Sequence, residues 1–552
     1  MRRRLLVVGF TLAAALATQG CERGRAQDLA ARAAADSVPL YDNLGDYHRS
    51  VNTGMDRAQA YFDQGLRLQY AFNHAEAIRS HEEAVRLDPG CAMCWWGIAL
   101  ALGPNINASM DSASGARAFA SIREAQRLAD RGPAAERALI GALAERYAED
   151  PTAGRAPLDS AYANAMGIVA QSFPRDPDAL TLYAASLMNL SPWFYWTGDY
   201  ANRQPRPDTP TMLEHLEKAL SLNPEHPGAC HYYIHSVEAA YPERAVECAE
   251  RVAGLMPGAG HIVHMPGHIY IRVGRYADAV KQNEHAVHAD ESYIQDQNPR
   301  GLYPAGYYPH NYHFMWFAAT MAGMSEKAMY AARKVAPKVP LEVAREIYWI
   351  QNVLILPMLT SVTFGDWESV LAAPMPSAEL ENATAMAHYA RGIALAATGR
   401  ESEARRELQS IDEIAARIGA TDVSEGPEIV VAIASHALAG EIALRTGDPQ
   451  AAAGHLAVAA RLEDGMVYEE PPVWYLPIRH TLGRALLEAD RPGQAESVYR
   501  EDLVRFPANG WSLAGLAMAL EAQGRSDEAA AARAEFEAAW RDADVELLGS
   551  RF

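Results

Sequence analysis

A period of 34 residues constrains this chain more than any other feature. In GHIVHMPGHIYIRVGRYADAVKQNEHAVHAD, Gly267 and Tyr270 fall on a first helix and Gly274 interrupts it. Tyr276 and Ala279 then open a second helix, which Ala286 continues. The same order of small residues returns in AYFDQGLRLQYAFNHAEAIRSHEEAVRLDP (Gly65, Ala77, Ala84, Pro89) and in HYARGIALAATGRESEARREL (Gly392, Gly399, Ala404). It returns again in LGRALLEADRPGQAESVYREDLVRFP (Gly483, Ala495, Pro507) and in SLAGLAMALEAQGRSDEAAAARAEFEAA (Gly524, Ala529). Glycine frees the chain to turn and proline opens a helix at little cost, so each unit reads as helix–turn–helix. With degenerate copies included, about ten such units cover nearly the whole mature chain. β-Branched and aromatic runs at strand spacing are scarce, so the expected class is all-α. At 552 residues the chain exceeds what one compact core usually serves.

This pattern resembles the tetratricopeptide repeat, whose small residues let two helices pack closely. The resemblance implies a right-handed α-solenoid of tandem helix–turn–helix repeats with irregular insertions, its concave face lined mainly by first helices. Four longer stretches, HxxHMPGHIYIRVGRYADA, YYPHNYHF, EPPVWYLPIRHTLGRALLEA and PANGWSLAGL, are similar to a group of bacterial tetratricopeptide-repeat proteins of exported or lipoprotein type. That similarity spans most of residues 55–525 and implies fold and location rather than an activity. The expected plan is an export signal over 1–21, a tether over 22–50, and N-terminal repeats over 51–350 that hold the candidate site. C-terminal repeats over 351–552 follow.

The N-terminus reads as the signal itself. Met1-Arg2-Arg3-Arg4 is a basic start, and Leu5 to Ala17 is an apolar run too short for a permanent membrane span. Thr18-Gln19-Gly20-Cys21 resembles a lipoprotein box, with Thr18 departing from the usual apolar residue; it implies lipidation of Cys21. Whether the signal is a lipoprotein's or one for simple secretion, the mature protein is expected outside the cytoplasm, periplasmic or anchored to the outer membrane, with the membrane touched only through that lipid. The formal charge, 49 − 69 = −20, and the lack of a basic stripe argue against a nucleic-acid partner. In an oxidising compartment Cys91 with Cys94, and Cys230 with Cys248, can form two disulfides. The second pair would join the antiparallel helices of one repeat. CAMC has no second CxxC for zinc, no following His for haem and no βαβ context for thioredoxin chemistry.

Three stretches break the period: 103–115, 191–210 and 289–311, with a fourth over 469–480. Insertions in repeat proteins tend to emerge on one face, often the binding face. Between them lie histidines in register. His264 follows Pro257 by seven residues, as His231 follows Pro224; His268 and His235 follow the same prolines by eleven. His261 and His264 precede Ala279 by eighteen and fifteen residues, as His310 and His313 precede Ala328. Glu238 stands one turn beyond His235. By the resemblance, these places face the concave groove. His231, His235 and Glu238 share one helix face, so imidazoles from neighbouring first helices can converge on one ion. Such a set suits a transition metal: zinc, copper, iron or manganese. A single histidine on a helix face is more often a packed or hydrogen-bonding residue, and no compact signature such as HExxH is present.

Aromatic and basic residues complete the candidate groove: Trp96, Trp193, Tyr195, Trp196, Arg272, Tyr308, Asn311, His480 and Arg484. Flat apolar bodies with one polar handle suit ligand walls, and the arginines suit an anionic group. Trp95 is expected in the core, and His74 in a turn. The first functional expectation is an exported protein that binds a small molecule, peptide or protein in its groove beside a metal held by the histidines. The second is a metal-dependent hydrolase or oxidoreductase using the same site. The third is a metal-free scaffold, which the dominance of His, Glu and Trp over Lys, Arg and Asn disfavours.

Overall fold

A computed structural model describes residues 38–198, 202–419 and 429–552. The segment expected to be an export signal, with Cys21, and most of the expected tether lie outside the described residues. Those residues are overwhelmingly helical; their only strands are β1 (Trp196–Thr197) and β2 (Gln204–Pro205), paired antiparallel. No helix among them is long and apolar enough to cross a membrane. The chain divides into two compact units. Among the described residues, one comprises 38–198, Arg203–Pro266 and His288–Tyr308; the other comprises Gly267–Val287 and most of Pro309–Phe552.

The first unit is a run of antiparallel helix pairs: α1 (Asp56–Tyr70) with α2 (His74–Leu87), α3 (Ala92–Leu102) with α4 (Ser112–Leu128), and α5 (Ala134–Ala144) with α6 (Arg155–Ser172). Next come α7 (Pro177–Met188) with α8 (Thr209–Leu222), and α9 (Pro227–Val237) with α10 (Val246–Leu255). The short α11 (Gly260–His264) follows. Local chemistry sets the boundaries. The Asn73 side chain accepts from Glu76 N and starts α2, placing His74 inside the first helical turn rather than in the connecting turn. Asp176 caps α7 ahead of Pro177, and His226 Nδ1 accepts from Ala229 N at the start of α9. First helices also touch one another: α1 meets α3, α3 meets α5, α7 meets α9, and α9 returns to α1.

Close approach explains the recurring glycines. The His81 ring on α2 is wedged between α1 and α3, so a Cβ at either Gly65 or Gly97 would lie 2.5 Å from it. Only a residue without a side chain fits on either side. Ahead of α1, residues 38–55 form a strap. Val38 O accepts from Tyr61 Oη at 2.6 Å, and the Arg49 guanidinium pairs with Asp176 at 2.9 Å and Asp178 at 2.7 Å. Burial alone would push the Asp178 carboxyl up. The Arg49 charge and hydrogen bonds from His226 and Tyr70 overcome it and hold the group well below the carboxylate range.

The second unit carries α12 (Pro266–Tyr270) and α13 (Tyr276–Gln297) in part, then α14 (Tyr308–Met321) and α15 (Ser325–Val335). The short helices α16 (Leu341–Glu346), α17 (Leu356–Thr363) and α18 (Trp367–Ala372) follow. The regular pairs resume as α19 (Glu381–Ala397) with α20 (Glu401–Ile418), and α21 (Ile429–Arg445) with α22 (Pro449–Asp464). They end with α23 (Ile478–Glu488) and α24 (Pro492–Arg505), then α25 (Gly510–Ala522) and α26 (Ser526–Ala539). The glycine wedge recurs: the Tyr499 ring on α24 lies 2.2 Å from where a Cβ would stand at Gly483 or Gly515. Trp511 is fully buried, its Nε1 donating to Thr320 O at 3.1 Å, and Phe552 packs edge-on against it.

Of the two expected disulfides, Cys91–Cys94 is formed. Cys230 and Cys248 face each other across α9 and α10 as anticipated, but as two thiols with sulfurs 2.8 Å apart. Trp96, not Trp95, is the tryptophan sealed into the core; it is 1% exposed, whereas Trp95 is half-buried with Nε1 donating to Pro89 O.

Candidate metal centre

In the first unit α9 presents His231 and His235 one turn apart, and α11 presents His261. Nitrogens of these three residues all lie within 4.8 Å of one another. His231 Nε2 and His261 Nε2 are 3.1 Å apart. Two nitrogens bound to one tetrahedral ion at about 2.0–2.1 Å stand about 3.3 Å apart, so the pair is nearly at ligand spacing. All three imidazoles are buried, at 0%, 3% and 2% exposure.

The outer nitrogens are already committed. His231 Nδ1 lies 2.6 Å from Tyr70 O. A carbonyl oxygen only accepts, so Nδ1 carries the proton and Nε2 presents its lone pair. His235 Nδ1 lies 2.9 Å from Glu238 Oε1, which fixes the same tautomer through a carboxylate. This is the arrangement that metal-ligating histidines use: one nitrogen to the ion, the other held by a carbonyl or carboxylate. Glu238, expected as a ligand, is buried with Oε1 against His235 Nδ1, a place from which it can orient that imidazole.

Aromatic rings enclose the cluster. Phe72 lies 4.5 Å from the His231 ring and 5.4 Å from the His261 ring, Trp193 lies 5.0 Å from His235, and Tyr307 lies 4.7 Å from His261. Phe72 and Trp193 hold φ values of +57° and +66°, a region that bulky residues rarely occupy. Two strained aromatic residues on one cluster mark it as a place where packing overrides backbone preference. The three irregular segments meet here. Trp193 comes from the second, Tyr307 from the third, and Asn107 of the first donates Nδ2 to Tyr307 Oη at 2.9 Å.

The remaining residues distribute as follows. In the first unit His264 is buried, with its ring 5.8 Å from His261. Tyr195 is buried, Trp196 Nε1 donates to Ser236 O at 2.8 Å, and Tyr308 Oη turns to Glu291. In the second unit His268 Nδ1 pairs with Glu470 Oε1 at 2.9 Å, and Tyr468 Oη donates to Glu470 Oε2 at 2.8 Å. The His310 ring is 5.8 Å from His268. His313 stacks on Trp316, and burial lowers its pKa to about 4. Asn311 is fully buried, and the Arg272 guanidinium lies over the Tyr468 ring at 5.6 Å. His480 Nε2 pairs with Asp502 at 3.1 Å, and Arg484 with Glu488 on its own helix. Tyr307 is one of the aromatic residues expected to flank the groove ahead of His310; Tyr70, Phe72 and Glu470 are not among the residues the sequence points to, and of these only Glu470 lies in a segment marked as irregular.

Fold and site together define an all-α protein of tandem helix pairs with a buried three-histidine cluster. No family model matches the chain, and no curated protein matches it. Among solved structures it is similar to the human IFIT1 dimer with m7Gppp-AAAA, at 13% identity and a TM-score of 0.32 over 91% of this chain and 96% of that one. It is also similar to the APC/C hetero-tetramer Cut9–Hcn1, at 11% identity and a TM-score of 0.29 over 90% of this chain and 76% of that one. Likeness of this degree carries neither ligand nor activity to this chain.

Proposed function

We propose that this is an exported helical-repeat binding protein in which His231, His235 and His261 hold a transition metal that takes part in binding a ligand or partner. The observation that carries the reading is the commitment of His231, with Nδ1 held by the Tyr70 carbonyl and Nε2 turned 3.1 Å from His261 Nε2, beside a His235 whose Nδ1 is held by Glu238. Three neutral imidazoles favour zinc, copper or iron over manganese, which prefers oxygen donors. Three protein ligands leave a coordination position for a ligand atom. The basic start and short apolar run of the first seventeen residues support export.

The test is metal analysis of protein purified without an affinity tag, beside a His231→Ala/His261→Ala double variant. The reading expects stoichiometric metal in the parent and its loss in a folded variant. If neither protein holds zinc, copper or iron after attempted reloading, the metal reading is wrong.

A further inference from the structure

A pocket within the first unit shares the Phe72 wall with the histidine cluster but has its own polar equipment. It lies among α1, α3, α6, α7 and α9 and the loop at Pro104–Ile106; its inner cavity is about 30 Å³ and widens to an open mouth. Phe72, Tyr162 and Tyr232 give it an aromatic, apolar wall.

Two amide oxygens line it buried without a hydrogen-bond partner, and one guanidinium nitrogen beside them has no protein acceptor among the described residues. Gln69 is 8% exposed, and its amide oxygen has no hydrogen-bond partner. Asn189 Oδ1 is also buried without one. Arg146 is 2% exposed; Nε donates to Asp159 Oδ1 at 3.0 Å and Nη2 to Pro104 O at 2.9 Å, which leaves Nη1 without a protein acceptor among the described residues. Asp159 also accepts from Arg155 at 2.7 Å, so one carboxylate serves two guanidinium groups and the cluster holds one net positive charge. That charge is felt nearby: burial first, and then Arg146, hold the His74 imidazole down to about 4. Buried polar groups left this way require an explanation, and water answers only part of it. Water can satisfy the amides, but it does not balance the charge.

We infer that this pocket binds a small monocarboxylate. The carboxylate takes hydrogen bonds from Arg146 Nη1 and from the Gln69 and Asn189 amides, and the apolar body lies against Phe72 and Tyr232. An amide presents either oxygen or nitrogen by a half-turn of its end, so both side chains serve as donors to an anion. A single negative charge matches the single excess positive one, whereas a phosphate dianion would leave a buried surplus. The inference does not require a metal.

Calorimetric titration of the tag-free protein with propionate, butyrate and benzoate, each beside its carboxamide, tests it. Metal content is recorded before and after chelation. Expected is saturable binding of at least one carboxylate, about tenfold or more tighter than its amide, since the hydrogen bonds go to a charged group. Binding persists in the chelated protein. Arg146→Met abolishes it but leaves Asp159 with one partner fewer, and so risks the fold. Gln69→Leu removes an amide that bonds to nothing in the protein. It is expected to fold as the parent does and to bind the same carboxylate several-fold more weakly. The inference is overturned by folded parent protein that binds none of the three carboxylates, by equal binding of the amides, or by unchanged affinity in Gln69→Leu. Binding that disappears on chelation also overturns it, because the carboxylate then sits on the ion, an outcome that leaves the metal reading standing.

Discussion

His231 Nδ1 reaches the backbone carbonyl of Tyr70, 161 residues earlier in the chain, at 2.6 Å. The bond joins α9 to the end of α1 and fixes which nitrogen of His231 faces the cluster. Tyr70 is itself held at its other end, where Oη donates to Asp178 Oδ1 at 2.5 Å. The strap at Arg49, the carboxylate of Asp178 and the candidate ligand His231 thus form one mechanical chain.

Glu238 plays the matching part for His235. Glu238→Gln keeps the shape and an acceptor but removes the charge that strengthens the imidazole as a donor to metal. Affinity is expected to fall about 10–100-fold, with stoichiometry unchanged, in competition against a chromogenic chelator. Equal affinity in variant and parent would show that Glu238 does not act on the ion through His235.

The glycine wedges predict opposite signs for two similar substitutions. Gly97→Ala drives a methyl into the buried His81 ring and is expected to cost about 1–3 kcal/mol in denaturant unfolding. Gly141→Ala, on α5 with nothing within 4 Å of the new carbon, is expected to be neutral or to gain up to about 1 kcal/mol from helix propensity. If both variants unfold alike, close helix approach is not what Gly97 provides.

Cys230 and Cys248 are expected to close into a disulfide when an oxidant is supplied. Their shared hydrogen bond, 2.8 Å long, lowers the Cys248 thiol pKa, so that sulfur is the attacking group. Cys248 displaces one glutathione from oxidised glutathione, Cys230 then displaces the second, and two reduced glutathiones leave. Peptide mapping without reductant should recover the two cysteines joined. Recovery of both as free thiols after oxidation would count against the pair.

Glu463 predicts a pH dependence of opposite sign to the usual carboxylate. Burial raises its pKa to about 7, against the opposing Arg505 charge and the hydrogen bond from Ile478 N. Between the ordinary carboxylate value and 7 the folded chain holds a proton that the unfolded chain has released, so stability from this group falls as pH rises through that window. Glu463→Gln keeps the acceptor for Ile478 and cannot ionise. Its advantage over the parent should grow from pH 4.5 to pH 8 toward an upper bound of roughly 3 kcal/mol. A stability difference independent of pH would place the raised pKa elsewhere.

Helix pairs, small-residue wedges and the one-turn spacing of His231 and His235 were legible because each is a short-range property with a fixed period. The convergence of His261 with them was legible in outline, through repeat register. What was not legible is the closure of α9 onto α1, since no periodicity encodes contact across 161 residues. A backbone carbonyl such as that of Tyr70 has no sequence signature at all. Phe72 was hidden because it lies in a turn at positive φ, where sequence rules expect glycine. His313 holds the place in the register that His264 holds one unit earlier, and its ring stacks on Trp316, one turn on, a contact that register alone does not encode.

The closure of α9 onto α1 also limits how this architecture can change over generations. Tandem arrays ordinarily lengthen and shorten by whole units, because each hairpin answers only to its neighbours. Here the first and fifth hairpins answer to each other. Duplicating or deleting any hairpin between them would carry Tyr70 and Phe72 away from His231, so the copy number of this stretch is set by the site rather than by the stacking.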